Sequence, residues 1–395
     1  MLKKQKKIVK FITYDGIIEP IGKSQVLSYV KKLSHFYSIK ILSYEKHNDL
    51  KDKIKVKNLQ KELLKLNISW KALRYNNYFN FGGTIHNILR GMIDNLIDLI
   101  FKNIIFFHIR GPLPGLLIIP FLNFFKIKFI FDMRGFWADE KHDRLGWEKK
   151  SFKYRLFKGV EKKLLNSSNY IICLTKDAKE IIIKDFKISS KKIMVLPTCV
   201  DTDYFIRKNK DENKFIQFCH FGSTESAYNI EKTLKLFSFF LKIEKKIKII
   251  FFTKQETNKL KKLFIEYNIP NDNYEISSLN RNEIVKNLND VDIGIFYCNK
   301  NFSIKGSYPT KIGEFLACGI PILCNDFNNE ITELINKNKV GLISSFSENN
   351  YLQIYQNILE IVNKDDVKKN CRKVAETELS LNIGVQKIKK IYDMI

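Results

Sequence analysis

Short runs of β-branched and aromatic residues recur along the chain, separated by longer stretches whose apolar positions return with helical spacing. That alternation predicts strand-helix-strand units assembled on parallel sheets. In the first half the strand-like runs are IVKFITY (8–14), SIKILSY (38–44), NIIFFHI (103–109), IKFIFDM (127–133), NYIICLT (169–175) and KIMVLPT (192–198). A second series comprises KFIQFCHFG (214–222), IKIIFFT (247–253), VDIGIFY (291–297), IPILCN (320–325) and VGLIS (340–344), with a further strand near Tyr274. From about Asn350 onward the spacing is helical only. Between the two series lies a polar stretch, TCVDTDYFIRKNKDENK (198–214), with Pro197 just upstream, where a hinge is expected. The pattern therefore predicts an α/β protein of two Rossmann-like, doubly wound domains facing across a cleft. Their expected bounds are 1–203 and 204–395, with the last helix able to cross back to the first domain. Ligands in such sheets bind beyond the carboxyl ends of strands, so the loops there carry the candidate chemistry.

Composition narrows the picture. A chain of 395 residues, 45% hydrophobic and 28% charged, is a packed globular protein rather than a disordered one. Its seven cysteines form no CxxC pair and sit mostly in apolar runs, as buried thiols of a reducing compartment do. The basic start MLKKQKK precedes only a short apolar run without a small-residue cleavage site, so no secretory signal is expected. The most apolar stretch, LLIIPFLNFF (116–125), reads as a helix far shorter than the roughly 20 residues of a membrane span. A cytoplasmic protein is expected. Lys and Arg total 68 against 42 Asp and Glu, a net charge of +26. Such a surplus suits a nucleic acid, a phospholipid surface or a phosphorylated ligand, although evenly spread lysines also make an ordinary solvated surface.

The most informative segment is SYPTKIGEFLACGIPILCND (307–326). Pro309 suits the first turn of a helix, and the free amides there, with Thr310 and Lys311, make an anion site fit for phosphate. Glu314, three residues beyond Lys311, falls on nearly the same face, where a carboxylate accepts from the vicinal hydroxyls of a ribose. In YDGIIEPIGKSQ (14–25), Gly16 and Gly22 mark close backbone approaches, and Gly22 is read as opening a helix that carries Ser24 and Gln25. DMRGFWADEKHDRLGW (132–147) is read as a long charged and aromatic loop. Its Asp139, Glu140, His142 and Asp143 obey no metal-ligand spacing, so no metal is expected. His108, followed by Arg110 and Gly111 at a strand end, is either a catalytic group or a satisfied structural histidine.

Taken in order along most of the chain, these segments resemble the family 4 glycosyltransferases, retaining enzymes of the GT-B fold. LPTCVDTDYF (196–205) and NRNEIVKNLNDVDIGIFY (280–297) extend the likeness. The resemblance implies that Glu314 is the second glutamate of the EX7E motif and holds the donor ribose. The first glutamate is replaced by Gly306, leaving Ser303, Lys305 and the backbone of 305–309 to meet the donor sugar. The family's Arg/Lys pair is also missing: Gly222 is followed by Ser223, and the lysine position falls near Tyr228. Other cations must then face the leaving diphosphate, with Lys254, Lys311 and, from the opposite domain, Arg134 as candidates; Arg134 and Lys311 are preferred. Where relatives often carry a histidine, this chain offers Asp132 and Arg134, and Asp132 is the base if the outcome were inversion. The loop with Gly22 lies where the family contacts donor phosphate or acceptor. Arg281 lies where the family grips the base, as a stacking partner or a surface residue.

The implied activity is transfer of a hexosyl group, with retention, from a nucleotide-sugar donor to a glycan or polyprenyl-linked glycan, in the manner of bacterial cell-surface polysaccharide enzymes. It needs no protein nucleophile and no cofactor besides the donor substrate. The basic surplus would draw in the donor and hold the protein peripherally on the anionic inner face of the plasma membrane, through 116–125 if that run is not buried. The rival readings are a nucleotide-sugar epimerase-like enzyme, a non-catalytic relative and a basic nucleic-acid-binding protein. No nucleic-acid recognition motif is present, so no nucleic acid is expected as partner.

Overall fold

The computed structural model describes residues 8–75, 81–101, 104–207, 215–225 and 227–395. The basic start at 1–7 and the end of the polar stretch, 208–214, lie outside them. The chain divides into two compact units. One holds the described residues up to Pro197 together with Gly384–Ile395, and the other is Thr198–Ile383.

The first unit is built on seven parallel strands: β1 (Ile8–Thr13), β2 (Ser38–Glu45), β3 (Ile68–Arg74), β4 (Ile104–Arg110), β5 (Phe129–Asp132), β6 (Tyr170–Cys173) and β7 (Ile193–Val195). Their spatial order is β3-β2-β1-β4-β5-β6-β7. The second unit has β8 (Ile216–Phe221), β9 (Ile247–Phe252), β10 (Tyr274–Ser277), β11 (Ile293–Phe296), β12 (Ile322–Cys324) and β13 (Gly341–Ile343), ordered β10-β9-β8-β11-β12-β13. Both sheets follow the doubly wound pattern in which the strand order reverses beside the first strand. The switch points therefore lie between β1 and β4 and between β8 and β11.

Parallel strands covered on both faces read as near-continuous apolar runs, which is why the sequence runs fall on the strands. Phe129, Phe131 and Ile171 are fully buried in the first core. Phe218, Phe237, Phe240 and Phe251 are fully buried in the second. Each such side chain contributes about 1.5–3 kcal/mol relative to exposure. β3, which the apolar runs do not single out, is an edge strand that alternates buried and exposed positions around Lys71.

Three local expectations are corrected. Residues 116–125 form no helix. A single turn at Pro112–Gly115 is followed by bends and a 3-10 turn at Ile119–Phe121. Pro112, Pro114 and Pro120 withhold amide donors there. Leu117 and Ile118 are wholly buried and Leu116, Ile119 and Leu122 are half-buried against the core, but Phe124 is 84% exposed, so only part of the run is core. Residues 132–147 are not one loop, because Trp137–Leu145 is a helix with Asp139 and Glu140 in its first turn, closed by Gly146 at φ +67°. The helix after β1 starts at Pro20, ahead of Gly22, and passes through a π turn, Lys23–Leu27, into Ser28–Leu33.

From Tyr351 onward the chain is helical, in Tyr351–Val362, Asp365–Thr377 and Leu381–Met394. All seven cysteines are free and buried. Among the described residues no helix is long and apolar enough to cross a membrane.

Candidate active site

In the first unit the carboxyl ends of β1, β4 and β5 converge at the switch point. Arg110 closes β4 and Asp132 closes β5, with the two paired in register. Arg110 Nη1 donates to Asp132 Oδ2 at 3.2 Å, and its Nε donates to Asp15 Oδ2 at 3.4 Å. Arg134 lies 3.8 Å from Asp132 Oδ1 and donates to Gln25 Oε1 at 3.4 Å. His108 Nε2 stands 3.6 Å from Asp132 Oδ2, beyond hydrogen-bond range, while Nδ1 is 2.8 Å from the Tyr392 hydroxyl. The imidazole stacks on Phe11 and is almost wholly buried.

Burial alone would raise the Asp132 carboxyl, but the charge of Arg134, the neighbouring His108 ring and the charge of Arg110 hold it at about 2. Burial is also the main influence lowering the His108 pKa. Asp132 is thus a fixed anion that orients two arginines, and a carboxylate of such low basicity abstracts protons poorly. Arg134 has φ +57°, a conformation non-glycine residues seldom hold, and Gly135 follows at φ +125°. The turn that presents its guanidinium is imposed by the surroundings rather than by local preference.

Gly22 sits nearby on the composite helix. A Cβ there would overlap the Gly16 carbonyl, so its close approach is to the chain's own backbone. Glu45 secures the same loop, accepting from the Ile17 amide at 2.8 Å and the Ile18 amide at 3.2 Å. Two of the acids of 139–143 are engaged by neighbouring side chains. Asp139 is held by Tyr154 at 2.7 Å and Lys158 at 2.5 Å, and Glu140 pairs with Arg144. Among the described residues no group of three or more His, Cys, Asp or Glu is placed to hold a metal.

In the second unit the helix Thr310–Ala317 begins after Pro309, which occupies the cap position rather than the first turn. Lys311 turns inward from this start and is only 4% exposed. Its ammonium lies 3.8 Å from the centre of the Tyr228 ring, 5.3 Å from that of Phe296 and 3.4 Å from His220 Nε2. Gly222, at φ +97°, leaves the space beside it, since a Cβ there would stand 3.9 Å from Lys311 Cε. Among the described residues Lys311 has no carboxylate within salt-bridge distance. Burial drives its pKa down to about 7. The same burial, reinforced by Lys311, keeps His220 neutral with a pKa near 3.

Glu314, one turn on, makes no hydrogen bond through its carboxylate among the described residues. Burial lifts it to about 7, against the opposing charges of Arg281 and Lys311. Arg281 stacks over Tyr204 at 4.7 Å and Phe205 at 5.4 Å, and its Nε is buried with no hydrogen-bond partner among the described residues. Thr310, Lys311, Glu314, Arg281 and Gly222 are thus brought together. Lys254 is exposed after β9, and Lys305 is exposed on the 3-10 turn Phe302–Gly306. Next to Lys254, Gln255 ties the loops after β8 and β9 by accepting from the Thr224 amide at 2.6 Å.

Sequence reasoning gave no role to His220 and Tyr228 of the second unit or to Arg110 and Asp15 of the first. The available signal was a histidine inside an otherwise apolar strand run, at the strand end facing the switch point.

Two family models match the chain: Glycosyltransferase Family 4 over residues 68–204 and Glycosyl transferases group 1 over 201–378. No curated protein matches the sequence. Among solved structures, sucrose-phosphate synthase from Thermosynechococcus elongatus superposes with a TM-score of 0.73 at 10% identity, over 98% of this chain and 99% of that one. Anabaena Alr3699/HepE in complex with UDP-glucose gives 0.70 at 11% identity, over 98% and 100%. A putative UDP-N-acetylglucosamine 2-epimerase from Listeria monocytogenes gives 0.61 at 11%, over 99% and 98%. These likenesses concern the fold. The tandem family matches, running from 68 to 378 over the two doubly wound sheets, place the chain among the family 4 glycosyltransferases of GT-B fold.

Proposed function

We propose that the protein moves a hexosyl group from a nucleoside-diphosphate sugar to a hydroxyl of a glycan or polyprenyl-linked glycan, with retention at the anomeric carbon. One observation carries the donor assignment: among the described residues Lys311 and Glu314, one helical turn apart, are a buried cation without an acid in salt-bridge range and a carboxylate without a hydrogen bond. A diphosphate at the helix start completes the first, and vicinal ribose hydroxyls complete the second. Lys311, reaching the space beside Gly222 and Tyr228, takes the role of the missing Arg/Lys pair. Arg134 is assigned the second cationic role in turnover, with Asp132 as its orienting anion. Arg281 meets the base.

In the proposed reaction the sugar's bond to the diphosphate oxygen breaks as the acceptor oxygen bonds to the same face of the anomeric carbon. The departing phosphate takes the acceptor's proton. Fixed positive charge lowers the barrier by stabilising the anion that forms, so no protein nucleophile is needed. Biosynthesis of a bacterial surface polysaccharide on the cytoplasmic side of the membrane is the setting that fits such an acceptor.

Thermal shift over nucleoside diphosphates and their sugars tests the donor assignment. Stabilisation by one base is expected, and by its sugar conjugate more strongly, since a ligand at 100 times its Kd adds about 2.7 kcal/mol. No stabilisation by any of them would remove it. The similarity of fold to an epimerase favours a second reading, in which the donor is turned over with no acceptor present. Nucleotide release that requires an added glycan separates the two.

A further inference from the structure

The helix Phe81–Phe101 is polarised in the opposite sense to an ordinary surface helix. Its acids face inward. Asp94 accepts from Lys10 at 2.8 Å and Lys71 at 2.5 Å, and Asp98 is bonded to Lys10 and Lys40, each at 2.6 Å. Gly91 packs against the Tyr44 hydroxyl and Leu117 with no room for a Cβ, and Asn95 donates to the Leu117 carbonyl at 3.3 Å. These contacts fix the helix's rotation. Its outward face then presents Ile85, Leu89, Ile93, Ile97, Ile100 and Phe101, each between 44% and 77% exposed. From Ile85 to Ile100 they recur every three or four residues, and Phe101 lies four beyond Ile97, along about 24 Å of helix. Among its described residues the second unit exposes five large apolar side chains, on five separate segments.

Charge identifies what covers this face. Among its exposed described positions the only formally charged side chain is Arg90, and none is acidic. Behind it three lysines meet two aspartates, within a chain of net charge +26. A second copy would set the same positive field against itself, whereas an anionic bilayer offers both apolar depth and opposite charge. We propose that the outer face of Phe81–Phe101 docks on a lipid bilayer carrying anionic headgroups. The N-terminal end of the stripe lies close to the first unit's switch point: Asn87 Nδ2 donates to the Tyr14 hydroxyl at 3.3 Å, and Tyr14 precedes Asp15. This docking stands apart from the proposed transfer and holds whichever sugar is moved.

The test is flotation of the full chain with vesicles of 70:30 phosphatidylcholine and phosphatidylglycerol, against phosphatidylcholine alone. Wild-type protein is expected to float with the anionic vesicles. The Leu89→Glu, Ile93→Glu, Ile97→Glu variant is expected to float at least tenfold less, with an unchanged melting temperature. Ile93→Trp, a single exposed change, provides a second readout through a blue shift of its emission when the same vesicles are added. Wild-type protein that does not float at low salt, a triple variant that floats equally well, or no blue shift overturns the proposal. So does a wild-type dimer in sedimentation that the triple variant dissociates, since a second copy would then cover the face.

Discussion

Lys311 and Glu314 carry opposite charges, yet burial draws both toward a pKa of about 7, one from 10.5 and the other from 4.5. A bound diphosphate favours protonated Lys311, and ribose hydroxyls favour ionised Glu314. Near pH 7 each group is about half ionised, so donor binding should take up and release about half a proton at once, with little net exchange. Calorimetry of the stabilising nucleoside diphosphate in buffers of different ionisation enthalpy checks this. Lys311→Met should leave net proton release, and Glu314→Gln net uptake. The stability signs follow the same shifts. Lys311 is deprotonated in the native state but not in the unfolded one between about 7 and 10.5, so its contribution to stability rises with pH across that window. Glu314 stays protonated in the native state between 4.5 and about 7, so its contribution falls as pH rises there. Arg134 offers a separate test. Arg134→Asn tolerates the positive φ but lacks the cation, so turnover should fall roughly 10²–10³-fold with KM little changed. Equal turnover would remove Arg134 from the reaction. Lys311 and Glu314 were legible in the sequence because a proline-led helix start announces an anion site locally. The cage around Lys311 was not, since His220, Tyr228 and Phe296 come from three separate segments.

At the level of elements, the most consequential join is between β1 and the helix Phe81–Phe101. Lys10 lies in the sheet centre, fully buried, and its two aspartate partners come from that one helix. Removing the charge leaves buried carboxylates short of a partner, so Lys10→Met should cost about 3–5 kcal/mol in urea unfolding. Lys71 is 48% exposed at its pair with Asp94, and Lys71→Met should cost under about 1 kcal/mol. Similar losses from both would mean that the network is not what anchors the helix. The strands were readable because both faces of each sheet are covered, which writes burial into the sequence as unbroken apolar runs. β3 escaped since one edge and one face meet water. The helix Trp137–Leu145 escaped for the opposite reason, as Asp139, Glu140, His142 and Asp143 give it the composition of a loop, and only Ala138 and Asp139 are fully buried.

At the level of the whole molecule, two sheets with the same reversal of strand order were inferable from two series of runs with a polar stretch between them. The assignment of Gly384–Ile395 to the first unit rests on packing that no local pattern states, such as Tyr392 against Phe106 and His108. The cysteines give this two-unit chain a built-in reporter. Cys173 is the only one in the first unit, and the other six belong to the second. Burial raises the Cys318 thiol to about 12 and lifts Cys219, Cys324 and Cys371 as well, so the reactive thiolate is suppressed until a unit opens. Offered a maleimide of known mass, the native protein should therefore gain label in steps that count which half has come apart. A nucleotide that tightens only the second half should slow six of those seven additions and leave the remaining one at its original pace.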